Sequence, residues 1–379
     1  MANPGGTAVV DYNSDLVRKR WIQEGLIKFK DKSFWQPYIG RSFNSVIYQQ
    51  TNPNAKEGHT VVFDFDGEIV AGPVRGKEQA LGKGETKRKF SDKITVDRFR
   101  FVVDNGDAFD GVNIGDLSIT QHQDSRTKLA RKWTRFKDQG YFDIAQQSAT
   151  HLIDAGSSFS LNDLLDVENI IKTGNGYTVG GKRLPLRPFE TADGRPLWFI
   201  LIDSSIKTKF LKDSGAQNLL AQADLRGNEN RLIKGVLGKI GNFVIAEADN
   251  FFGTQIGSIL DDENYFDYSA IGELLTPGLR QYKKEADGTI IWSGQKGFEE
   301  STGTLYSRAV ILGAGAMQHA FGKMPDYKVQ PSPDFGIKSE SLLEVWTGLK
   351  ATVLKAENDD YAVNIGGISY GIVAVDVEI

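Results

Sequence analysis

There is no cysteine among the 379 residues, so disulfides and thiolate metal sites are excluded. Histidine is scarce: His59, His122, His151 and His319 lie scattered without ligand spacing, and no metal or cofactor site is expected. No apolar run approaches the ~20 residues needed to span a bilayer. The first ten residues lack the basic stretch and apolar core of a signal peptide. The expectation is a protein made in, and acting from, a cytoplasm-like compartment without a membrane partner. Excess charge is missing too. A formal net charge of −4 gives no global attraction to nucleic acid, so any polyanion contact must come from a local patch. No internal repeat or low-complexity block stands out.

What is present is an ordinary soluble composition, 40% hydrophobic and 25% charged, with enough length for a sizeable core and two domains. Glycine is plentiful at 41 residues, which points to many turns. The most telling stretch is residues 60–104. An outgoing apolar arm, residues 60–65, and a return arm, residues 93–103, flank a glycine-rich link with a basic tip at Lys83, Lys87, Arg88 and Lys89. The return arm alternates Ile94, Val96, Phe99, Phe101 and Val103 with polar residues, the period of a strand with one buried face. A two-stranded ribbon is marginal in water unless something covers it, and a second copy of the chain is the simplest cover.

Residues 1–12 read as an arm, followed by a helix over 15–31 capped by Asn13 or Ser14 with Trp21 or Ile22 on its apolar side. The aromatic segment Phe34, Trp35, Tyr38 and Phe43 needs a surface to bury against. After a Gly/Asp-rich turn at 104–116, the spacing predicts a long helix over 125–153, with Asp124 as cap and Ala155-Gly156 as stop. Leu129, Trp133, Phe136, Gly140 and Ile144 form its apolar stripe, and its length would be roughly 40 Å. Its first half carries Arg126, Lys128, Arg131, Lys132, Arg135 and Lys137 without an acid, a placement the helix dipole disfavours. Three readings stand: a solvated face, a surface for acids of a neighbouring subunit, or a phosphate-contacting face.

Farther on, helices are expected at 161–172, 206–211 and 217–223, and buried strands at 197–203 and 241–247. An inserted hairpin turns at Asp287-Gly288 within 276–300. A strand at 308–312 leads through Gly313-Ala314-Gly315-Ala316 into a short helix ending near Phe321, and the remainder, 342–354, 361–365 and 368–377, is strand-rich.

Two stretches imitate enzyme motifs. Asp64 and Asp66, after the apolar arm, resemble the nucleophile and acid/base of haloacid-dehalogenase phosphohydrolases, with Asp261-Asp262 as an echo of that family's acid pair. Glu68 stands where that motif has Thr or Val, and glycine-rich ribbon follows in place of a helix. The Gly313–Ala316 loop resembles a dinucleotide-binding turn, but Gln318 occupies the third glycine's place, and tight packing explains the glycines as well. No nucleophile elbow, P-loop or zincin motif is found, and no catalytic, cofactor-binding or metal-ligating residue is assigned.

The order of the parts resembles the Hong Kong 97-type phage capsid proteins: arm, basic-tipped ribbon, long spine helix, α/β domain and returning sheet. Gly72–Gly76 (GPVRG), Leu81–Glu85 (LGKGE) and the strand closing on Arg100–Asp104 (RFVVD) are similar to the ribbon of a podophage major capsid family. Ser307–Ala316 and Tyr370–Asp376 resemble its late strand-loop and last strand. The resemblance implies an α+β fold with an N-terminal arm and helix (1–45), an extended ribbon loop (46–105), a peripheral domain with the spine helix (106–160 and 325–379) and an axial domain (161–324). It implies a structural function, not an enzyme: a shell of hexamers and pentamers around double-stranded DNA held by non-specific contact, in the virion and assembled in the bacterial host cytoplasm. Phe99, Phe101, Trp21, Trp35 and Tyr38 are expected to lie on neighbouring copies. A separate scaffolding protein is implied, because no coiled-coil extension precedes the arm, together with a portal and a possible decoration protein. No cross-linking residue is carried over. An encapsulin-like cellular shell and the phosphohydrolase are the alternatives.

Overall fold

In a computed structural model the described residues are 33–52, 54–66, 71–84, 89–107, 121–149, 151–173, 178–179, 182–183, 186–190, 196–217, 236–249, 277–293, 295, 297–298, 300–331, 338–353, 355–356 and 371–379. The expected helices at 15–31 and 217–223 (beyond Gln217), residues 108–116 of the turn expected at 104–116 and the strand at 361–365 lie outside them, as do Trp21, Asp261 and Asp262; residues 104–107 are strand and not turn.

A five-stranded sheet carries one half of the molecule. It comprises β1 (Ile39–Gly40), β2 (Ile47–Thr51), β5 (Asp97–Asp107), β16 (Met317–Pro331) and β17 (Lys338–Ala351), in the order β1-β2-β16-β17-β5. β1 and β2, and β2 and β16, run parallel; the β16–β17 and β17–β5 pairs are antiparallel. Helix α1 (Gln121–Gln147) packs on this sheet. Its expected stripe is the buried one: Leu129, Trp133, Phe136 and Ile144 belong to the first core. Phe101 meets Phe136 edge-on with ring centres 5.2 Å apart and lies 6.1 Å from Trp133.

The other half is a nine-stranded sheet. β11 (Val236–Ile240), β12 (Phe243–Glu247), β10 (Pro196–Ile202), β15 (Thr304–Leu312), β13 (Tyr282–Lys284) and β14 (Ile290–Trp292) follow one another across it. β9 (Phe189–Glu190) pairs with β10, and β19 (Ile372–Glu378) joins β15 to β6 (His151–Asp154). Period-two alternation serves two cores. Phe199, Leu201, Val310 and Leu312 face the α1 side. Trp198, Ile200, Ile202 and Ile311 face the opposite core, which includes residues of α2 (Leu161–Thr173) and α3 (Ser204–Lys212). That double burial is why β10 is apolar on both faces. The α2 start is a reciprocal cap, in which the Ser160 N–H and hydroxyl donate to Asp163 at 2.8 and 2.7 Å and the Asp163 N–H donates back at 3.4 Å. The β13–β14 hairpin turns at Gly288 with φ +89°, as its Asp-Gly signal implies. A small hairpin of β7 (Thr178–Val179) and β8 (Lys182–Arg183) stands apart. The third sheet, β18 (Lys355–Ala356), β4 (Lys89–Thr95) and β3 (Thr60–Asp66), forms the ribbon's base.

Three expectations are corrected. The long helix starts at Gln121, which puts Asp124 inside its first turn and not at its cap. The long helix ends at Gln147 and not Ile153, because residues 151–154 pair in parallel with β19 and the Ala155 N–H donates to Asp376 O at 3.0 Å. Buried Arg308 donates to the Gln146 carbonyl at 2.9 Å while gripping Asp376, so a cation closes the negative end of the helix. Residues 317–321 are strand, not helix. After β15 the chain turns through 313–316 and enters the five-stranded sheet directly as β16. Here the Gly315 N–H donates to Ser45 O, the Met317 N–H to Val46 O and the Gly313 N–H to Gly371 O. Gly315 has φ +66°, and a Cβ there would meet the Phe43 ring at 2.1 Å. The glycines serve close approach, and no dinucleotide-type helix follows them.

Candidate assembly surface

The ribbon has a fixed root. Along β3 and β4 seven residue pairs run without a bulge, from Thr60↔Thr95 to Asp66↔Lys89. Phe63, Ile94 and Val96 are fully buried at the base, and Tyr48 of β2 meets Phe63 edge-on at 5.3 Å. The base crosses β16 and β17 at two glycines. A Cβ on Gly348 would meet Thr95 O at 2.3 Å, and one on Gly322 would meet Ala55 O at 2.3 Å. Asp92 locks the crossing: it accepts from Lys350 Nζ at 2.9 Å and from the Val353 N–H at 2.9 Å, and both side chains of the ion pair are nearly or fully buried. Beneath it His319 is sealed in. Its Nε2 lies 2.5 Å from Thr347 Oγ1, which itself donates to Ala320 O, so Nε2 carries the hydrogen and Nδ1 accepts from Tyr141. Burial holds this imidazole well below its ordinary range, with Lys137 adding to the effect.

The tip is the opposite. From Gly72 to Gly84 every residue is exposed, Leu81 to 84%, and a Cβ built on Gly72, Gly76, Gly82 or Gly84 would meet nothing within 4 Å. Its hydrogen bonds among the described residues are local: Glu78 N–H to Arg75 O, Lys83 N–H to Ala80 O, and Lys83 Nζ to Glu78 at 2.7 Å. The side chains of Lys87, Arg88 and Lys89 are outside the described residues.

Several side chains expected on neighbours are spent inside the chain. Trp35 is fully buried, in ring contact with Phe142 at 4.9 Å and Tyr141 at 5.8 Å. Tyr38 packs on Phe199 at 4.3 Å, and Phe99 and Phe101 pack on α1. The alternation of the return arm identified a buried face correctly. That face belongs to the chain's own spine helix, since β5 peels away from β4 at Val96 to join β17.

The entry of the chain into the fold is held by Asp138 of α1, which accepts from Ser33 Oγ at 2.6 Å and the Phe34 N–H at 2.8 Å. Burial raises the Asp138 carboxyl, an effect those donors and Lys137 oppose. Farther along α1, Gln139 exchanges two hydrogen bonds with the Gly278 backbone and Gln146 two with the Arg280 backbone, while Asp143 meets the Arg280 guanidinium at 2.9 Å. Spaced at i, i+4 and i+7, these side chains hold an extended segment against the helix as a strand edge would. The sequence reading missed this seam. Its signal was Gln139, Asp143 and Gln146 at helical spacing beside the apolar stripe. On the outer side of the five-stranded sheet Glu344 collects Arg98, Lys328 and Lys323; hydrogen bonds from Lys328 lead the causes that hold its carboxyl down at about 2.

The basic half of α1 is partly exposed: Arg126, Lys128 and Lys132 face solvent, and Arg131, Arg135 and Lys137 are half-buried. Arg126 lies 6.0 Å above the Tyr327 ring and Lys132 5.9 Å above Phe101, so some of this charge rests on the chain's own aromatics. Asp64 is exposed on β3, opposite Ser91 in an antiparallel sheet, with no parallel-sheet crevice to make it a nucleophile. Among the described residues no group of His, Asp and Glu could hold a metal ion. None of their helices is long and apolar enough to cross a membrane.

No protein-family model matches the sequence, and no curated protein matches it. Solved structures do. A chain of the capsid of Ralstonia phage GP4 is similar over 98% of this chain and 98% of its own, at 16% identity and a TM-score of 0.62. One from the head of Helicobacter pylori bacteriophage KHP40 matches over 93% of each chain, at 13% identity and 0.67. One from the cyanophage Pam1 capsid asymmetric unit covers 100% of this chain and 99% of its own, at 11% identity and 0.57. The chain therefore has the α+β, Hong Kong 97-type fold of these phage capsid structures.

Proposed function

We propose that this chain, folded as the shell proteins of tailed phages are folded, is a major capsid protein. Many copies, as hexamers and pentamers, close an icosahedral shell around double-stranded DNA, and the protein resides in the virion after assembly in the host cytoplasm. The carrying observation is the ribbon: a hairpin fixed by buried contacts at one end and uncovered from Gly72 to Gly84 at the other. A segment so held has nothing to do within its own subunit, and shells gain strength from many modest contacts made at once.

Within this reading, residues 1–45 are an arm and helix, 46–105 the ribbon loop, 161–324 the axial domain, and 106–160 with 325–379 the peripheral domain. The last strand, β19, ties the peripheral part into the axial sheet through β15. A separate scaffolding protein, a portal and a decoration protein complete the particle, and exposed Arg126, Lys128 and Lys132 give packaged DNA a non-specific phosphate contact. The phosphohydrolase reading has lost its geometry, and no observation favours a cellular shell. Negative-stain microscopy and sedimentation of the purified chain test the proposal. Closed shells or capsomer-sized rings are expected; a monomer at every concentration, with or without scaffolding protein, would contradict it.

A further inference from the structure

The ribbon tip presents two kinds of group to solvent. Val74 is 38% and Leu81 84% exposed. Arg75 and Lys77 are exposed cations that meet no acid among the described residues, whereas Lys83 is engaged with Glu78. The tip rests on none of the described residues of its own subunit, and its groups call for a receiving surface that is apolar and acidic.

A described surface with that chemistry lies at the end of the nine-stranded sheet. The face of the nine-stranded sheet that packs on α1 continues past the end of the helix at Gln147. There β6, β15 and β19 bring Asp154, Asp376, Glu378 and Tyr306 to one side, since Asp154 is in register with Asp376 and Tyr306 with Glu378. Tyr306 stacks on Tyr282 with ring centres 5.5 Å apart and planes 14° apart, which makes a flat aromatic floor. Leu152, two residues before Asp154 on the same face, is 48% exposed. Asp376 is neutralised by Arg308. Among the described residues the Asp154 and Glu378 carboxylates meet no cation: Asp154 accepts the Gly156 N–H, and Lys209 reaches the main-chain oxygens of Glu378 and Ser157. The surface is acidic enough that burial and the three carboxylates around it raise the Tyr306 hydroxyl above its usual range.

We propose that the ribbon tip of one copy docks on this face of a second copy, with Arg75 and Lys77 meeting Asp154 and Glu378 while Leu81 and Val74 cover Leu152 and the Tyr306 ring. The two surfaces match in charge and in apolar content, and the charges of each are unmatched among the described residues. The inference rests on the shell reading for the identity of the partner and adds the receptor to it.

Charge exchange tests it. R75E/K77E and D154K/E378K should each raise the threshold concentration for shell formation by about tenfold, because each copy repeats the lost contact around the particle. Combining all four should return the threshold to within about threefold of the parent. Parent-like assembly of both reversed variants, or a combination worse than either, would overturn the docking assignment while leaving the shell intact. D154N/E378Q serves as the milder pair should the reversals disturb folding. A second readout needs no shell. The chain has no cysteine, so Lys77→Cys can be mixed with Asp154→Cys, or with Leu165→Cys on exposed α2 as control, under mild oxidation. A covalent dimer with the Asp154 variant and none with the control is expected. Equal cross-linking to both would remove the proposal, whereas failure of the parent to form shells would remove the shell reading.

Discussion

At its base the ribbon is set by Asp92, Lys350, Gly348 and Gly322, where backbones approach so closely that no side chain fits and a buried ion pair spans two sheets. Fewer than thirty residues away the same hairpin runs from Gly72 to Gly84 with every side chain in water. The base obeys the rules of a folded core; the tip obeys those of a surface waiting for another molecule. Direction is what the base supplies. A tip that is free to be captured still has to leave the subunit along a fixed line, and only the rigid crossing at β16 and β17 provides one.

If the base is a folding element, damage there should cost stability first. Asp92→Ala strands Lys350 and the Val353 N–H in a dry site, and a loss of about 3 kcal/mol in urea unfolding is expected. A loss below about 1 kcal/mol would mean that the base is held by something else. A smaller, pH-dependent effect comes from His319, next to the crossing. The native imidazole stays neutral well below 6.5, while the unfolded chain takes up a proton there. Stability is therefore complete above pH 6.5 and falls below it, by up to about 1.4 kcal/mol per pH unit. His319→Gln should remove that component of the slope, and an unchanged slope would show that the histidine is not protected as described.

Much of this was legible in the residues. The Asp287-Gly288 hairpin and the stripe on α1 are local features, set by neighbours in sequence, and each stands where the pattern puts it. What the pattern could not state was whose surface covers a buried face. The alternation over 93–103 is real, but Phe99 and Phe101 spend it on α1 of the same chain, and Trp35 and Tyr38 likewise turn inward. Residues 317–321 and 151–154 were misassigned for a related reason. Short segments with weak local preference take the conformation of the sheet that receives them, β2 and β17 in one case and β19 in the other. The Asp92–Lys350 pair and the glutamine seam join residues more than a hundred positions apart, and the local pattern names neither partner.

The division between base and tip is tested most directly by replacing residues 71–84 with a short Gly-Ser link and measuring both unfolding and assembly of the same preparation. The account predicts an unfolding free energy within about 1 kcal/mol of the parent, because only exposed residues are removed, and no closed shells by electron microscopy. Full-sized particles from that variant, or a chain that no longer folds, would contradict it.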